Sequence, residues 1–407
     1  MKNTAQEHFN QEKPHTKIKH DLFKNVLDTS LSIANGINFS KKEKKSYVYI
    51  DLFAGAGKFD DNNQGSPLIA LNSFEKYKDN NKRSFQNIEM IVAEKDENNI
   101  NKLKQNIDSE KKKLAIDSIN CEFCKGSWEE HSEKLKQYIK SNQWGLIFVD
   151  PFSLELNFKN LLDLINESPY YKDIIILINK SAQERVLGKI DTPDINKICN
   201  YFDISQGNLK RLFDFVKSKG GSNETVVQHL IKRSLSKLDK DYIINAAITR
   251  TRNNKLEDSD RFYLCLITSS IGVANSFLEK YSEELENKNS NKNHQQLNLF
   301  DTSPQTKYLS LEDRIQNIIK KETLNLFELS KTLFNVFLSW RYTEENEIPH
   351  RQALLTAVNN LISDNKLLIL NPEKAKSGCI SSKTNRLSAK SLYSKEDAKS
   401  ITLCQSR

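Results

Sequence analysis

Two short segments carry side chains whose types and spacing could do chemistry on a nucleoside. The first is Asp51-Leu52-Phe53-Ala54-Gly55-Ala56-Gly57-Lys58-Phe59, a D-x-F-x-G-x-G turn at the end of an apolar run. Glycines at 55 and 57 let the backbone pass close beneath a ligand where any Cβ would collide. A second apolar run, Ile88 to Ala93, is followed by Glu94. A carboxylate at a strand tip can accept both hydroxyls of a ribose, so Asp51, Phe53, Gly55, Gly57 and Glu94 are the binding candidates. Two glycines in an ordinary strand-to-helix turn are the plainer reading. A dinucleotide fingerprint is disfavoured, because it needs glycine where Asp60 stands. Ser127, in the small polar turn Cys124-Lys125-Gly126-Ser127-Trp128, could meet an adenine edge.

The second segment, Asp150-Pro151-Phe152-Ser153, closes the run Leu146 to Asp150. A carboxylate held by a following proline can accept a hydrogen bond from a base amine while the Phe152 ring stacks on that base. Asp150 and Phe152 are therefore the catalytic candidates. Asp150 would equally serve to cap the next helix or to orient a bound cofactor. Gly65-Ser66-Pro67-Leu68 reads as a helix start, with Ser66 as N-cap and Pro67 in the first turn, and the same N-terminus would offer backbone donors to an anion. His20, alone on an amphipathic N-terminal stretch, reads first as a packed or solvated side chain.

The elements that must position these groups alternate short β-branched runs with longer amphipathic stretches, the pattern of an α/β fold. Strands are expected over Tyr47–Phe53, Ile88–Ala93, Ile119–Phe123, Leu146–Asp150, Ile174–Ile178, Tyr242–Ile248 and Phe262–Thr268, seven in all. Stretches such as Asn98–Ile107, Trp128–Ile139, Leu161–Ile165 and Leu209–Val216 suit right-handed helical crossovers. The last two strands read as an antiparallel edge pair on a Rossmann-like sheet. Residues 1–285 form this domain, and the polar, turn-rich stretch 286–308 is a linker. Three amphipathic helices and the strand Leu367–Leu370 make 309–375 a winged helix-turn-helix domain. The remainder, 376–407, reads as a Ser/Lys-rich basic tail, in part without order.

With 407 residues, the chain is too long for one compact core. A formal charge of +8 permits an anionic partner without requiring one, and lysines and arginines thicken toward the C-terminus, where a phosphate backbone would fit. No apolar run reaches the length of about 18 residues that a membrane helix needs, so no membrane association is expected and the cytoplasm is the expected compartment. The six cysteines read as reduced thiols. Cys121 and Cys124 form a single C-x-x-C with no second pair at zinc spacing, so no metal site is expected.

Asp150-Pro151-Phe152 resembles the D-P-P-Y motif of amino-directed nucleic-acid methyltransferases, with Phe152 in place of the second proline. Lys19-His20, Tyr49 to Gly57, Gly65-Ser66-Pro67-Leu68 and Phe148-Val149-Asp150-Pro151-Phe152 together resemble the three-Cys-motif partner protein family, over roughly Thr16 to Leu285. The resemblance implies a bacterial class I methyltransferase-like domain with an appended winged helix, S-adenosylmethionine as cofactor at Asp51, Gly55, Gly57 and Glu94, and a reactive pocket near Asp150 and Phe152. It also implies a separate partner protein carrying the three-cysteine motif. That family usually continues D-P-F with glycine, where Ser153 stands here. The expected activity is methyl transfer to a nucleic acid in a modification or defence context. The alternative is a non-catalytic, cofactor-binding scaffold beside a catalytic partner. Gln296-Leu297-Asn298-Leu299-Phe300 matches the pentapeptide by which bacterial DNA enzymes dock on the sliding clamp, and could equally pin the linker to its own domain.

Overall fold

The computed structural model describes residues 14–405 apart from 43, 62, 79–84, 117, 152–153, 155, 167–171, 253–254, 291–309, 321–322, 336, 339–347, 371, 378, 382–385 and 393. Chain contacts divide it into two compact units, Met1–Lys240 with Ala247–Ser269, and Asp241–Ala246 with Ser270–Arg407. The first unit is built on β1 (Tyr47–Asp51), β2 (Ile88–Glu94), β3 (Asn120–Lys125), β4 (Trp144–Val149) and β5 (Lys172–Ile178). β1 lies between β2 and β4, and all of these pairings are parallel. β6 (Tyr242–Arg252) and β7 (Lys255–Thr268) extend the order to β3-β2-β1-β4-β5-β7-β6, in which β7 runs antiparallel to β5, and the short strand Phe337–Leu338 pairs parallel with β6 beyond it. A parallel sheet that winds outward in both directions from β1, with one reversed strand set between β5 and β6, is the Rossmann-like sheet of the class I methyltransferase fold. In open α/β sheets ligands bind outside the C-terminal strand ends where the winding direction switches, which is here between β1 and β4.

Burial explains the pattern of the runs. Every residue of β5 and of β1 is buried, as expected of strands covered on both faces. Each buried isoleucine of β5 contributes about 1.5–3 kcal/mol to folding. The helices α1 (Pro14–Lys41), α2 (Ser66–Glu75), α3 (Glu97–Leu114), α4 (Ser132–Lys140) and α5 (Phe158–Ile165) belong to the same unit. α3 starts where Asp96 accepts a hydrogen bond from the Asn99 amide at 2.9 Å, turns Ile100, Leu103 and Ile107 inward, and ends at Ala115 in the left-handed region. Beyond β5, α6 (Lys180–Leu187), α7 (Asn196–Phe202), α8 (Gln206–Ser218) and α9 (Asn223–Leu235) fill the long interval before β6.

The second unit contains α10 (Ile271–Ser290), α11 (Leu311–Ile319), β8 (Leu324–Asn325), α12 (Leu326–Phe334), β9 (Phe337–Leu338), α13 (Arg351–Ser363), β10 (Leu367–Leu370), α14 (Lys395–Lys399) and β11 (Thr402–Gln405). β10, β11 and β8 form a three-stranded antiparallel sheet with β11 in the middle. This corrects the expectation of a partly unordered tail over 376–407. Leu392, Ala398, Ile401 and Leu403 are fully buried there, apolar side chains too widely spaced among serines and lysines to stand out by composition. α10 also runs to Ser290, past the expected domain end at 285. The segment Gln296–Phe300 lies outside the described residues, as does most of the expected linker. Among the described residues, no helix is long and apolar enough to cross a membrane.

Candidate functional site

The turn after β1 leaves the sheet hydrogen-bonded to both neighbouring strands. The Leu52 amide donates to the Phe148 carbonyl at 3.1 Å and the Ala54 amide to the Ala93 carbonyl at 3.0 Å. Gly55 and Gly57 then take φ of 61° and 78°, the left-handed region in which glycine carries no steric penalty. A Cβ on Gly57 would lie 2.7 Å from Leu103 Cδ1, so Leu103 of α3 would have to shift to admit any side chain there. The loop is closed from two more directions. Asn106 Nδ2 donates to the Ala56 carbonyl at 2.9 Å, and the Gly65 amide donates to the Gly57 carbonyl at 2.8 Å. The Gly-Ser-Pro-Leu element therefore abuts the glycine turn. Its N-cap is Gly65, whereas sequence pointed to Ser66, because the Ser66 hydroxyl is turned to another partner.

That partner is Asp51. Its fully buried carboxylate accepts hydrogen bonds from Ser66 Oγ at 2.7 Å, Tyr49 Oη at 2.8 Å and the Phe53 amide at 3.1 Å. Burial pushes its pKa up to about 6, against the opposing pull of the Ser66 and Tyr49 hydrogen bonds. Asp51 thus lies behind the loop and braces it. Phe53 is half-buried at the start of the turn.

Glu94 stands at the end of β2, directly beside the loop. Its Oε2 accepts the Gly55 amide at 2.8 Å and its Oε1 the Asp96 amide at 2.8 Å, so one carboxylate binds the glycine turn to the start of α3. The Glu94 carbonyl in turn accepts the Gly126 amide at 3.0 Å, which draws in the turn after β3. Ser127 follows there as the N-cap of the short helical turn Trp128–His131, and its amide donates to Glu130 Oε1 at 3.1 Å. Gly55, Gly57, Glu94 and the Ser127 turn are consequently gathered at one end of adjacent strands.

Asp150 follows the last residue of β4, on the other side of β1. Lys19 of α1 forms an ion pair with its Oδ2, and the two side chains are only 13 % and 22 % exposed. α1 reaches this position because it packs on the sheet. Leu22, Phe23, Val26 and Leu27 are fully buried, and the Phe23 ring lies 4.5 Å from that of Phe148 and 5.8 Å from that of Tyr49. His20, also buried, has its ring 6.0 Å from that of Phe59. Asp150 does not cap the following helix, because Asn157 performs that role at α5 through its side chain and the Asn160 amide at 3.1 Å. Phe152 and Ser153 lie outside the described residues.

Motif reading from the sequence missed the bracing of Asp51 by Tyr49 and Ser66 and the reach of Lys19 to Asp150. Nothing in local spacing signals a contact between residues 131 positions apart. Cys121 and Cys124 are free thiols, with Cys124 buried, and among the described residues no group of three His, Cys, Asp or Glu side chains could hold a metal ion.

No family model matches the sequence, and no curated protein matches it. Solved structures with a distant likeness include protein LPL1258 from Legionella pneumophila, at 12 % identity and a TM-score of 0.34 over 61 % of this chain and 85 % of that one. A precorrin-6y C5,15-methyltransferase from Geobacter metallireducens aligns at 12 % identity and a TM-score of 0.24, covering 57 % of this chain and 86 % of its own. The plantazolicin methyltransferase BpumL, solved in complex with SAH, aligns at 12 % identity and a TM-score of 0.26 over 63 % and 90 % of the two chains. At such distances the fold assignment stands on strand order and direction alone.

Proposed function

We propose that the chain is an S-adenosylmethionine-dependent methyltransferase that acts on a nucleic acid, with a base amine as the acceptor. The observation that carries this reading is the alignment along one sheet edge of a left-handed glycine turn after β1, a buried carboxylate ending β2 and a second carboxylate just past β4. The residues fit the cofactor. Each Glu94 oxygen accepts one backbone amide and keeps lone-pair capacity for a ribose hydroxyl, while Gly55 and Gly57 place no Cβ against a nucleoside. The Ser127 turn stands beside Glu94, as an adenine contact requires.

When bound, S-adenosylmethionine supplies an electrophilic methyl group. The chain's own task is to hold the acceptor nitrogen in line and to take up the charge that develops on it. Lys19 engages Asp150 Oδ2, and Oδ1 has no partner among the described residues, so Oδ1 can accept a hydrogen bond from an incoming N–H. Phe152 is assigned the stacking role. In the second unit, from α11 onward, the order helix, strand, helix, short strand, helix, strand, long excursion, strand supports reading it as a winged helix that supplies affinity for the nucleic acid. The three-Cys-motif partner relationship, the bacterial modification or defence setting and clamp docking through Gln296–Phe300 extend the same reading.

The ion pair itself favours a second reading. A carboxylate spent on tying α1 to the end of β4 is a structural group, as in a scaffold that keeps the cofactor crevice and leaves chemistry to a partner. Incubating the purified chain with radiolabelled S-adenosylmethionine and mixed DNA or RNA separates the two. Label transferred to nucleic acid, and lost in Asp150→Asn, supports the enzyme; cofactor binding with no transfer supports the scaffold.

A further inference from the structure

In the second unit, the helix that a winged helix would lay against nucleic acid has no charge to offer a phosphate. The exposed side chains of α13 itself are Gln352, Thr356, Asn360 and Ser363, all neutral; Asn360 donates to Glu312 Oε1 at 3.4 Å, and Ser363 Oγ accepts from the exposed Arg386 of the excursion at 2.9 Å. The one basic residue of α13, Arg351, is engaged by Glu279 Oε1 at 3.6 Å. Side chains of this kind can hydrogen-bond to base edges, but they release no counterions.

The positive charge lies in the excursion between β10 and β11. Lys374, Lys376, Lys390 and Lys399 are exposed there. The fold draws them together. Lys390 Nζ donates to the Ser377 carbonyl at 2.6 Å, and the Lys376 amide donates to Ser400 Oγ at 3.2 Å, which sets residues 376, 377, 390 and 400 side by side. Lys399 also has its ammonium 5.3 Å from the centre of the Phe327 ring. The acidic residues of the excursion are Glu373 and Glu396, both exposed, and Asp397. Asp397 is 4.0 Å from Lys376 Nζ, and among the described residues Lys374, Lys390 and Lys399 have no carboxylate partner. The excursion is also held in place. Asn359 of α13 clamps the Leu387 backbone, accepting its amide at 2.8 Å and donating to its carbonyl at 3.1 Å.

We infer that this lysine cluster grips the phosphate backbone of a nucleic-acid duplex and that α13 contributes no phosphate contact. The inference rests on the nucleic-acid half of the function proposed above and is independent of methyl transfer. A duplex is favoured because Asn359 ties the excursion to α13, whose exposed neutral side chains are of the kind that hydrogen-bond to groove edges.

The test is fluorescence anisotropy of the full chain with a labelled duplex oligonucleotide over a range of sodium chloride concentrations, without cofactor. Lys376→Ala with Lys390→Ala is expected to weaken binding at least tenfold and to lower the slope of log K against log salt by about 1.8, from about 0.9 per lost phosphate contact. Lys374→Ala, on an exposed side chain, is expected to lower the slope by about 0.9 and guards against misfolding of the double variant. Gln352→Ala with Asn360→Ala is expected to leave the slope unchanged. An unchanged slope in the lysine variants overturns the inference. So does tighter binding to the single strand, binding only to phosphatidylserine vesicles, or no binding to any of these. Duplex binding with the expected slopes but no methyl transfer would sink the enzymatic reading and leave this one standing.

Discussion

Lys19 and Asp150 form an ion pair that joins α1 to the C-terminal end of β4. The pair is mostly shielded from solvent, so removing one member leaves a partly buried charge without its partner. Lys19→Met is therefore expected to reduce methyl transfer at least tenfold through kcat, with the dissociation constant for S-adenosylmethionine nearly unchanged. Single-turnover kinetics beside calorimetric titration would check this, and a loss confined to cofactor binding would refute the placement of Lys19 beside the acceptor.

Glu94 makes a different prediction, because it touches both the loop and the expected ribose. Glu94→Gln retains the shape and loses the charge that two backbone amides and a diol would share. Charge-assisted hydrogen bonds contribute about 1.5–3 kcal/mol, so affinity for S-adenosylmethionine or its demethylated product should fall by about one to two orders of magnitude. Isothermal titration gives the answer directly, and an unchanged affinity would remove the ribose from this position.

Gly57 tests the packing beneath the loop. Gly57→Ala has to adopt φ near 78° and to place its Cβ 2.7 Å from Leu103 Cδ1. The two penalties should total about 2–4 kcal/mol and appear as a lower thermal midpoint. Adding Leu103→Ala relieves the collision but not the dihedral strain. The double variant should therefore lose less stability than the two single variants added together, while remaining below wild type through the dihedral strain and the cavity at Leu103.

Asp51 gives stability a pH dependence of known sign. Its folded pKa is raised to about 6 from an ordinary carboxyl value of 3.8, so the native state retains a proton that the unfolded chain releases. The stabilising contribution is complete below pH 3.8 and is lost as pH rises through about 6. Over that window the wild-type chain should lose about 2–3 kcal/mol from this group alone. Asp51→Asn does not titrate, so its thermal midpoint relative to wild type should rise between pH 4 and pH 7. A constant difference across that range would mean that Asp51 is not held in its protonated form.

The sequence made the strands readable where burial on both faces leaves uninterrupted apolar runs, as in Ile174–Ile178 and Leu146–Val149. The glycine turn was readable because a left-handed backbone restricts residue type so strongly. Less was visible where a role depends on tertiary reach. Asp51 reads as a binding residue from its place in the motif, yet its carboxylate is spent on Ser66, Tyr49 and Phe53 behind the loop. Ser66 reads as a cap because serine before proline usually is one, and the competing carboxylate 15 residues earlier has no local signal. Ile401–Leu403 reads in the sequence as a short apolar patch and not as a strand, because a four-residue strand with one fully buried leucine has too little alternation to register against a polar background.

The central place of β11 between β10 and β8 has a consequence for synthesis. A nascent chain emerges in order, and the strand that joins the other two is residues 402–405. Until these leave the ribosome, β8 and β10 are both edges without their shared neighbour, and α11 to α13 lack the sheet they belong with. The three-stranded sheet therefore cannot close before residues 402–405 are available. Shortening the chain to before residue 402 would leave two unpaired strands exposed to association with other molecules.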